Sequence, residues 1–200
     1  MNIVLASQSP RRRELLSRMG LDFSVCSPSI DEDAFSAPEP LELVKLLSRE
    51  KALQVAAGQG KDTLVIAADT VVVRDGTALG KPASSEEAEA MLSSLSGRSH
   101  LVCTGVTVTR NGHTVTEAEV TQVTFRGLDR EEIRRYVATG EPMDKAGAYG
   151  IQGLGALLVS GIRGDYSNVV GLPVCLLGQI LKDYGLDCLA LAEKQLEERL

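Results

Sequence analysis

What this sequence has least of is spare positive charge. Its 21 lysines and arginines are outnumbered by 27 aspartates and glutamates, for a formal net charge of −6. That balance supplies no basic footprint for non-specific binding of DNA or RNA. An acidic protein that takes an anionic ligand must concentrate its cations locally, so clustered Arg and Lys become informative. Long apolar runs are missing too, and no stretch approaches a membrane span. The opening Met1-Asn2-Ile3-Val4-Leu5 reads as a strand and lacks the basic, then apolar, layout of a secretory signal. A cytoplasmic location is therefore expected. The two histidines, His100 and His113, are too isolated for a His-based metal site or triad. The four cysteines (Cys26, Cys103, Cys175 and Cys188) have the spacing of neither a zinc knuckle nor a disulfide framework, and read as buried thiols in a reducing compartment. Two familiar phosphate motifs are also missing. No Gly-Lys-Ser/Thr ends a P-loop, and no G-x-G-x-x-G opens a helix after the first strand.

What is present is an ordinary globular proportion of 44% hydrophobic and 24% charged residues. Ser9-Pro10 starts a helix with Leu15, Leu16 and Met19 on its apolar face and Gly20 as its stop. A short strand follows at Phe23 to Cys26, then the acidic loop Asp31-Glu32-Asp33. Periodicity predicts a helix from Leu41 to Ala57. Thr63 to Val73 is an almost continuous apolar run, the pattern of a central strand, with a turn at Asp75-Gly76. Ser84 and Glu87 form a capping box for a helix to about Leu95. Leu101 to Thr109 and Thr114 to Phe125 read as long strands joined at Asn111-Gly112, a strong hairpin signal. Asp129 caps a helix ending near Gly140. Beyond the glycine-rich Asp144 to Gly155, strands or turns are expected at Ala156 to Ile162 and Tyr166 to Val170, and a helix from Pro173 to Tyr184. The tail from Asp187 to Leu200 patterns as a weak amphipathic helix. Hairpin strands mixed with helices argue for an α/β fold with a mixed sheet. No linker separates independent domains.

Several residues are out of place for stability alone. Arg11-Arg12-Arg13 fill the first turn of a helix, where the dipole favours acidic residues. A phosphate docked on the free backbone N–H groups would reverse that cost and pair with the guanidinium forks. Ser7 and Ser9 add hydroxyls to the same loop. The plain alternative is a solvated basic face. Asp69, followed by Thr70, interrupts the apolar run Leu64 to Val73, where a carboxylate is costly unless paired or bound to a cation. It could hold a metal or act as a general base; the plain alternative is a strand-end Asp satisfied by backbone N–H groups. Lys51 falls on the apolar side of its helix, where a lysine usually snorkels to solvent. Lys81, in Gly80-Lys81-Pro82, sits in a tight loop that would let a phosphate approach. Glu32 could complete an oxygen-ligand site with Asp69, or simply be solvated. Gln152, in Tyr149-Gly150-Ile151-Gln152-Gly153, can donate and accept together, as recognition of a base requires.

Taken in order, Leu5-Ala6-Ser7-Gln8-Ser9-Pro10-Arg11-Arg12, Arg49-Glu50-Lys51-Ala52, Ala68-Asp69-Thr70-Val71, Gly80-Lys81-Pro82, Leu95-Ser96-Gly97, Asp144-Lys145-Ala146-Gly147 and Val170-Gly171-Leu172-Pro173 resemble the Maf family of nucleotide pyrophosphatases. The Gln152 segment is similar to the subfamily acting on dTTP and UTP, as against the one acting on 7-methyl-GTP. The resemblance implies an elongated mixed sheet with flanking helices, two lobes around a central cleft, as in inosine triphosphate pyrophosphatases. It implies one catalytic domain over residues 1–185 with a tail at 186–200, and dependence on a divalent cation, Mg²⁺ or Mn²⁺. By the same resemblance Asp69 is the proton acceptor, with Lys51 and Lys81 as further catalytic residues. Ser7, Arg11, Arg12, Thr70 and Gln152 bind or select substrate, and Glu32 joins Asp69 at the metal. The expected partner is a small nucleoside triphosphate, with no nucleic acid and no membrane; a homodimer is the base-rate expectation. Two rival readings stay open: a pyrophosphatase for aberrant purine or 7-methyl-GTP nucleotides, and a non-catalytic nucleotide sensor regulating cell division.

Overall fold

The computed structural model describes residues 1–197. Three strands near the amino terminus, β1 (Ile3–Ala6), β2 (Ser24–Cys26) and β3 (Leu64–Arg74), run parallel. They are joined by crossovers through α1 (Pro10–Arg18) and α2 (Pro40–Ala56). From β3 onward pairing is antiparallel, to β4 (Thr77–Leu79), then through β5 (Ser99–Arg110), β6 (His113–Phe125) and β7 (Val159–Arg163). The result is one seven-stranded mixed sheet in the order β2-β1-β3-β5-β6-β7, with β4 on the side of β3. The 13 residues of β6 span roughly 40 Å, which draws the molecule out along one axis. Helices α3 (Ser85–Leu95), α4 (Arg130–Ala138), α5 (Tyr166–Val170), α6 (Val174–Asp183) and α7 (Cys188–Glu197) complete the chain. Among the described residues no helix is long and apolar enough to cross a membrane.

Local chemistry accounts for most of these elements. Asn111 and Gly112 both have positive φ, 53° and 77°, the type I′ geometry that a two-residue hairpin of right-twisted strands requires. Asp129 makes a complete capping box with Glu132. The Ser84 box is half-made, because Glu87 accepts the N–H of Ala83 rather than that of Ser84. Tyr166 to Val170 is helical, not extended. Asp165 takes both the N–H and the hydroxyl of Ser167, a local cap that outweighs the β-branched composition. The segment expected as Ala156 to Ile162 divides into a 3₁₀ stretch, Gly153–Leu158, and β7. The tail is not detached, since Leu186 is buried and Cys188 and Leu191 pack on the core; residues 198–200 lie outside the described chain. All four thiols are free, yet only Cys103 is buried; Cys175 is exposed on the outer side of α6, whose Leu177, Ile180 and Leu181 face inward.

The core is split, and the split sets up the site. On one face of β3, Leu64, Ile66 and Ala68 join a cluster with Leu5, Leu16 and Leu177, while Val72 joins another with Leu92, Phe125 and Tyr136. On the other face Val65 and Ala67 belong to one cluster, Val71 and Val73 to the next. Asp69 and Thr70 stand at the gap in each row. An apolar side chain at such a place contributes roughly 1.5–3 kcal/mol when buried. The chain forgoes that at one level of the strand, on both faces.

Candidate active site

Consecutive strand residues point to opposite faces, so Asp69 and Thr70 meet different neighbours. Asp69 pairs across the sheet with Gly105. A Cβ on Gly105 would stand 2.2 Å from the carbonyl oxygen of Val44, so only glycine lets α2 lie this close to the sheet. The buried stripe of α2 is Val44, Leu47, Ser48, Lys51, Ala52 and Val55, and its lysine is aimed at the aspartate. Lys51 Nζ lies 2.5 Å from Asp69 Oδ1 and 2.8 Å from Glu32 Oε1. The side chain does not snorkel to solvent: it is 8% exposed, and its ammonium spends two of its three hydrogens on carboxylates. Burial pushes the Glu32 carboxyl up, but the hydrogen bond and charge of Lys51, with Lys81 and Arg12 farther out, hold it below its ordinary value.

The Thr70 face is built from hydroxyls. β1 ends beside β3, with Ala6 opposite Ala67, and the chain leaves the sheet there through Ser7 and Ser9. Ser7 Oγ accepts the N–H of Ser9, and Ser9 Oγ accepts that of Arg12, which caps α1 at the carboxyl ends of the parallel strands. Arg12 then reaches back across the gap. Its Nε donates to the Gly171 carbonyl at 2.7 Å and Nη2 to Thr70 Oγ1 at 3.0 Å. Thr70 Oγ1 is 3.0 Å from Thr104 Oγ1, and Thr104 donates to the Asn168 carbonyl. Each hydroxyl carries one hydrogen, so the direction is determined: Arg12 donates to Thr70, Thr70 to Thr104, Thr104 to Asn168.

These two faces open on a single cleft of about 810 Å³. Ser7, Arg11, Arg12, Glu32, Lys51, Asp69, Thr70, Lys81 and Gln152 all line it, so of the candidate residues named from the sequence only Arg13 stays outside. Arg13 is not among them; it is exposed and borders a separate shallow depression with Asp22. Arg11 is paired with Asp144 at 3.0 Å, and Asp144 also takes Lys145 at 2.6 Å. Burial pushes the Asp144 carboxyl up, yet its bonds to Lys145 and Arg11 bring it below its ordinary value. The Lys81 loop is tied to the glycine-rich segment by Gly147 N–H donating to the Gly80 carbonyl at 2.9 Å. Glu32 Oε2 and Asp69 Oδ2 make no hydrogen bond to a described residue, so these two carboxylates could hold a cation. Among the described residues no group of three or more His, Cys, Asp or Glu gathers to cage a metal by itself.

Sequence reasoning missed Gly105, Thr104 and Asn168. Thr104 had a signal, as a polar residue in an apolar strand row; Gly105 and Asn168 had none without the cross-strand register.

Fold and cleft define an α/β protein in which a cationic helix start and ion-paired carboxylates line one cleft beside a mixed sheet. This chain belongs to the Maf family, whose sequence pattern, described as Maf-like protein, matches residues 2–184. It is 54% identical over 188 residues to a dTTP/UTP pyrophosphatase of Moorella thermoacetica, covering 92% of this chain and 96% of that one. It is 52% identical over 183 residues to a dTTP/UTP pyrophosphatase of Symbiobacterium thermophilum, covering 92% and 94%. Among solved structures, a nucleoside-triphosphatase / dITP/XTP pyrophosphatase of Mycobacterium abscessus superposes with a TM-score of 0.41 at 16% identity, over 62% of this chain and 73% of that one. So loose a superposition says nothing about the site.

Proposed function

We propose that this protein hydrolyses dTTP and UTP to the monophosphate and pyrophosphate, acting on the cytoplasmic nucleotide pool. The observation that carries the reading is the meeting, in one cleft, of the α1 start with the Lys51–Asp69–Glu32 cluster and Gln152, in a chain half identical to proteins of that name. Arg11, Arg12 and Lys81, with the hydroxyl of Ser7 and the N–H groups of α1, neutralise and orient the triphosphate. Thr70 holds Arg12 in place. The free oxygen of Glu32 suits Mg²⁺ or Mn²⁺, which one protein carboxylate can hold while phosphate oxygens and water complete the shell, and this leaves Asp69 Oδ2 for the proton. When bound, such a cation would offset negative charge gathering on the phosphates.

Asp69 is the base. Lys51 holds its carboxylate through Oδ1, which leaves Oδ2 to accept a proton from water. The water oxygen bonds to the α-phosphorus as the bond from that phosphorus to the bridging oxygen breaks, and pyrophosphate leaves with the electron pair. Arg11, Arg12 and Lys81 stabilise that charge. Lys51 therefore works on the carboxylates more than on the phosphates.

Incubation with dTTP, UTP, ITP or 7-methyl-GTP and Mg²⁺, with separation of the products, tests the reading. Monophosphate and pyrophosphate in equal amounts, fastest from dTTP and UTP, are expected. Orthophosphate alone, or preference for a purine, overturns it, and nucleotide binding without product assigns the chain a sensing role.

A further inference from the structure

Gln152 sits on a segment that has little reason to hold still. Gly150, Gly153 and Gly155 surround it, and glycine is the residue with most backbone freedom to lose. The glycines are required by crowding: a Cβ on Gly155 would be 2.1 Å from the Gly150 carbonyl oxygen, and one on Gly153, whose φ is +65°, would be 2.9 Å from Glu141 Oε2. One foot of the loop is tied to a carboxylate directly and the other through a phenol. Glu141 Oε2 accepts the N–H of Leu154 at 3.0 Å and Oε1 that of Gly155 at 3.0 Å. Oε1 also takes the Tyr136 hydroxyl at 3.0 Å, and the Tyr136 oxygen accepts the N–H of Gly150 at 3.2 Å. Tyr136 is buried in the second core cluster, so the knot is anchored to the rigid part of the fold. Gln152 lies midway between the tied residues and lines the cleft, and its amide makes no hydrogen bond to a described residue.

We infer that Glu141 and Tyr136 are positioning residues for base selection, closing the neck of the Gly150–Gly155 loop so that Gln152 meets the base at one fixed place. The inference rests on the proposed pyrimidine nucleotide pyrophosphatase activity, and neither residue lines the cleft. On a loose loop the glutamine could move to wherever its amide suits either a uracil edge, with N3–H donor and O4 acceptor, or a cytosine edge of opposite sense. A held one discriminates.

The test is kcat and KM for UTP and CTP in the wild type, Glu141→Gln, Tyr136→Phe, Gln152→Ala and the Glu141→Gln/Gln152→Ala double variant. Displacing a contact group by about 1 Å can cost on the order of 100-fold. Accordingly Glu141→Gln should lower kcat/KM for UTP by roughly 10- to 100-fold, mainly through KM, and bring the UTP:CTP ratio at least about tenfold toward that of Gln152→Ala. Tyr136→Phe, a milder change, should do the same to a smaller degree. In the double variant the ratio should match Gln152→Ala alone. Equal loss on both nucleotides, a Gln152→Ala variant with wild-type ratio, or additive effects in the double variant would overturn the inference while leaving the activity intact. A wild-type protein that turns over neither nucleotide removes the parent reading, and this one with it.

Discussion

The two faces of β3 solve the same problem by opposite means. At one level of the strand each face gives up an apolar side chain for a polar one. On the Asp69 face the gap is filled by charge: one ammonium between two carboxylates, with bonds of 2.5 and 2.8 Å. On the Thr70 face it is filled by neutral hydroxyls whose hydrogens all run one way, from Arg12 to the Asn168 carbonyl. Charge in a poorly solvated place is responsive, because removing one partner leaves the other uncompensated. A hydroxyl chain is stiff and nearly indifferent to pH. The difference leaves one face that responds to charge and another that holds an arginine steady.

The sharpest way to break the comparison is Asp69→Asn. A lost general base costs about 10²- to 10⁴-fold, so kcat should fall by about 10³-fold or more while binding of a non-hydrolysable UTP analogue, read by calorimetry, changes little. Equal loss of binding and turnover would make the aspartate a holding group. Next in size is Lys51→Met, which leaves Asp69 buried without its counter-charge and should lower the unfolding free energy by about 3–5 kcal/mol in urea titrations. Adding Asp69→Asn to it should restore part of that stability; an additive double variant would deny the coupling. On the neutral face Thr70→Val strands one Arg12 donor, and a loss of about 1–2 kcal/mol is expected. A larger loss than for Lys51→Met would invert the contrast between faces.

The smallest effect is on pH. Glu32 has a folded pKa below its ordinary value of 4.5. Below 4.5 the unfolded chain binds the proton first, so stability is whole above that value and is lost as pH falls toward the depressed folded one. In acid titrations of stability, Glu32→Gln should show a shallower decline below pH 4.5 than the wild type, and Thr70→Val an unchanged one. Identical acid limbs for all three would separate Glu32 from Lys51.

How much of this was legible in advance follows the range of the forces involved. The hairpin at Asn111-Gly112 and the α1 start at Ser9-Pro10 are matters of backbone sterics and capping within a few residues, and could be read directly. Tyr166 to Val170 misled because its β-branched residues suggest extension while a single upstream carboxylate, Asp165, closes a helical turn. Asp69 was conspicuous because ionised groups are rare in apolar runs. Lys51 was not, because lysines on apolar helix faces usually escape to water. The neck residues Glu141 and Tyr136 look like ordinary helix-end residues until Leu154 and Gly155 are folded onto them.

By itself, then, the sequence determined the alternation of strand and helix, the turn chemistry, the surplus of cations at one helix start and the misplaced aspartate, all of which depend on residue type and local spacing. Only the tertiary structure decided that the lysine would serve two carboxylates, that the arginine would be held through two threonines, and that the glutamine loop would be closed by a distant glutamate. Those outcomes hinge on register and close approach, such as α2 resting on the bare backbone of Gly105, and contacts between residues far apart in the chain exist only once the core has brought them together.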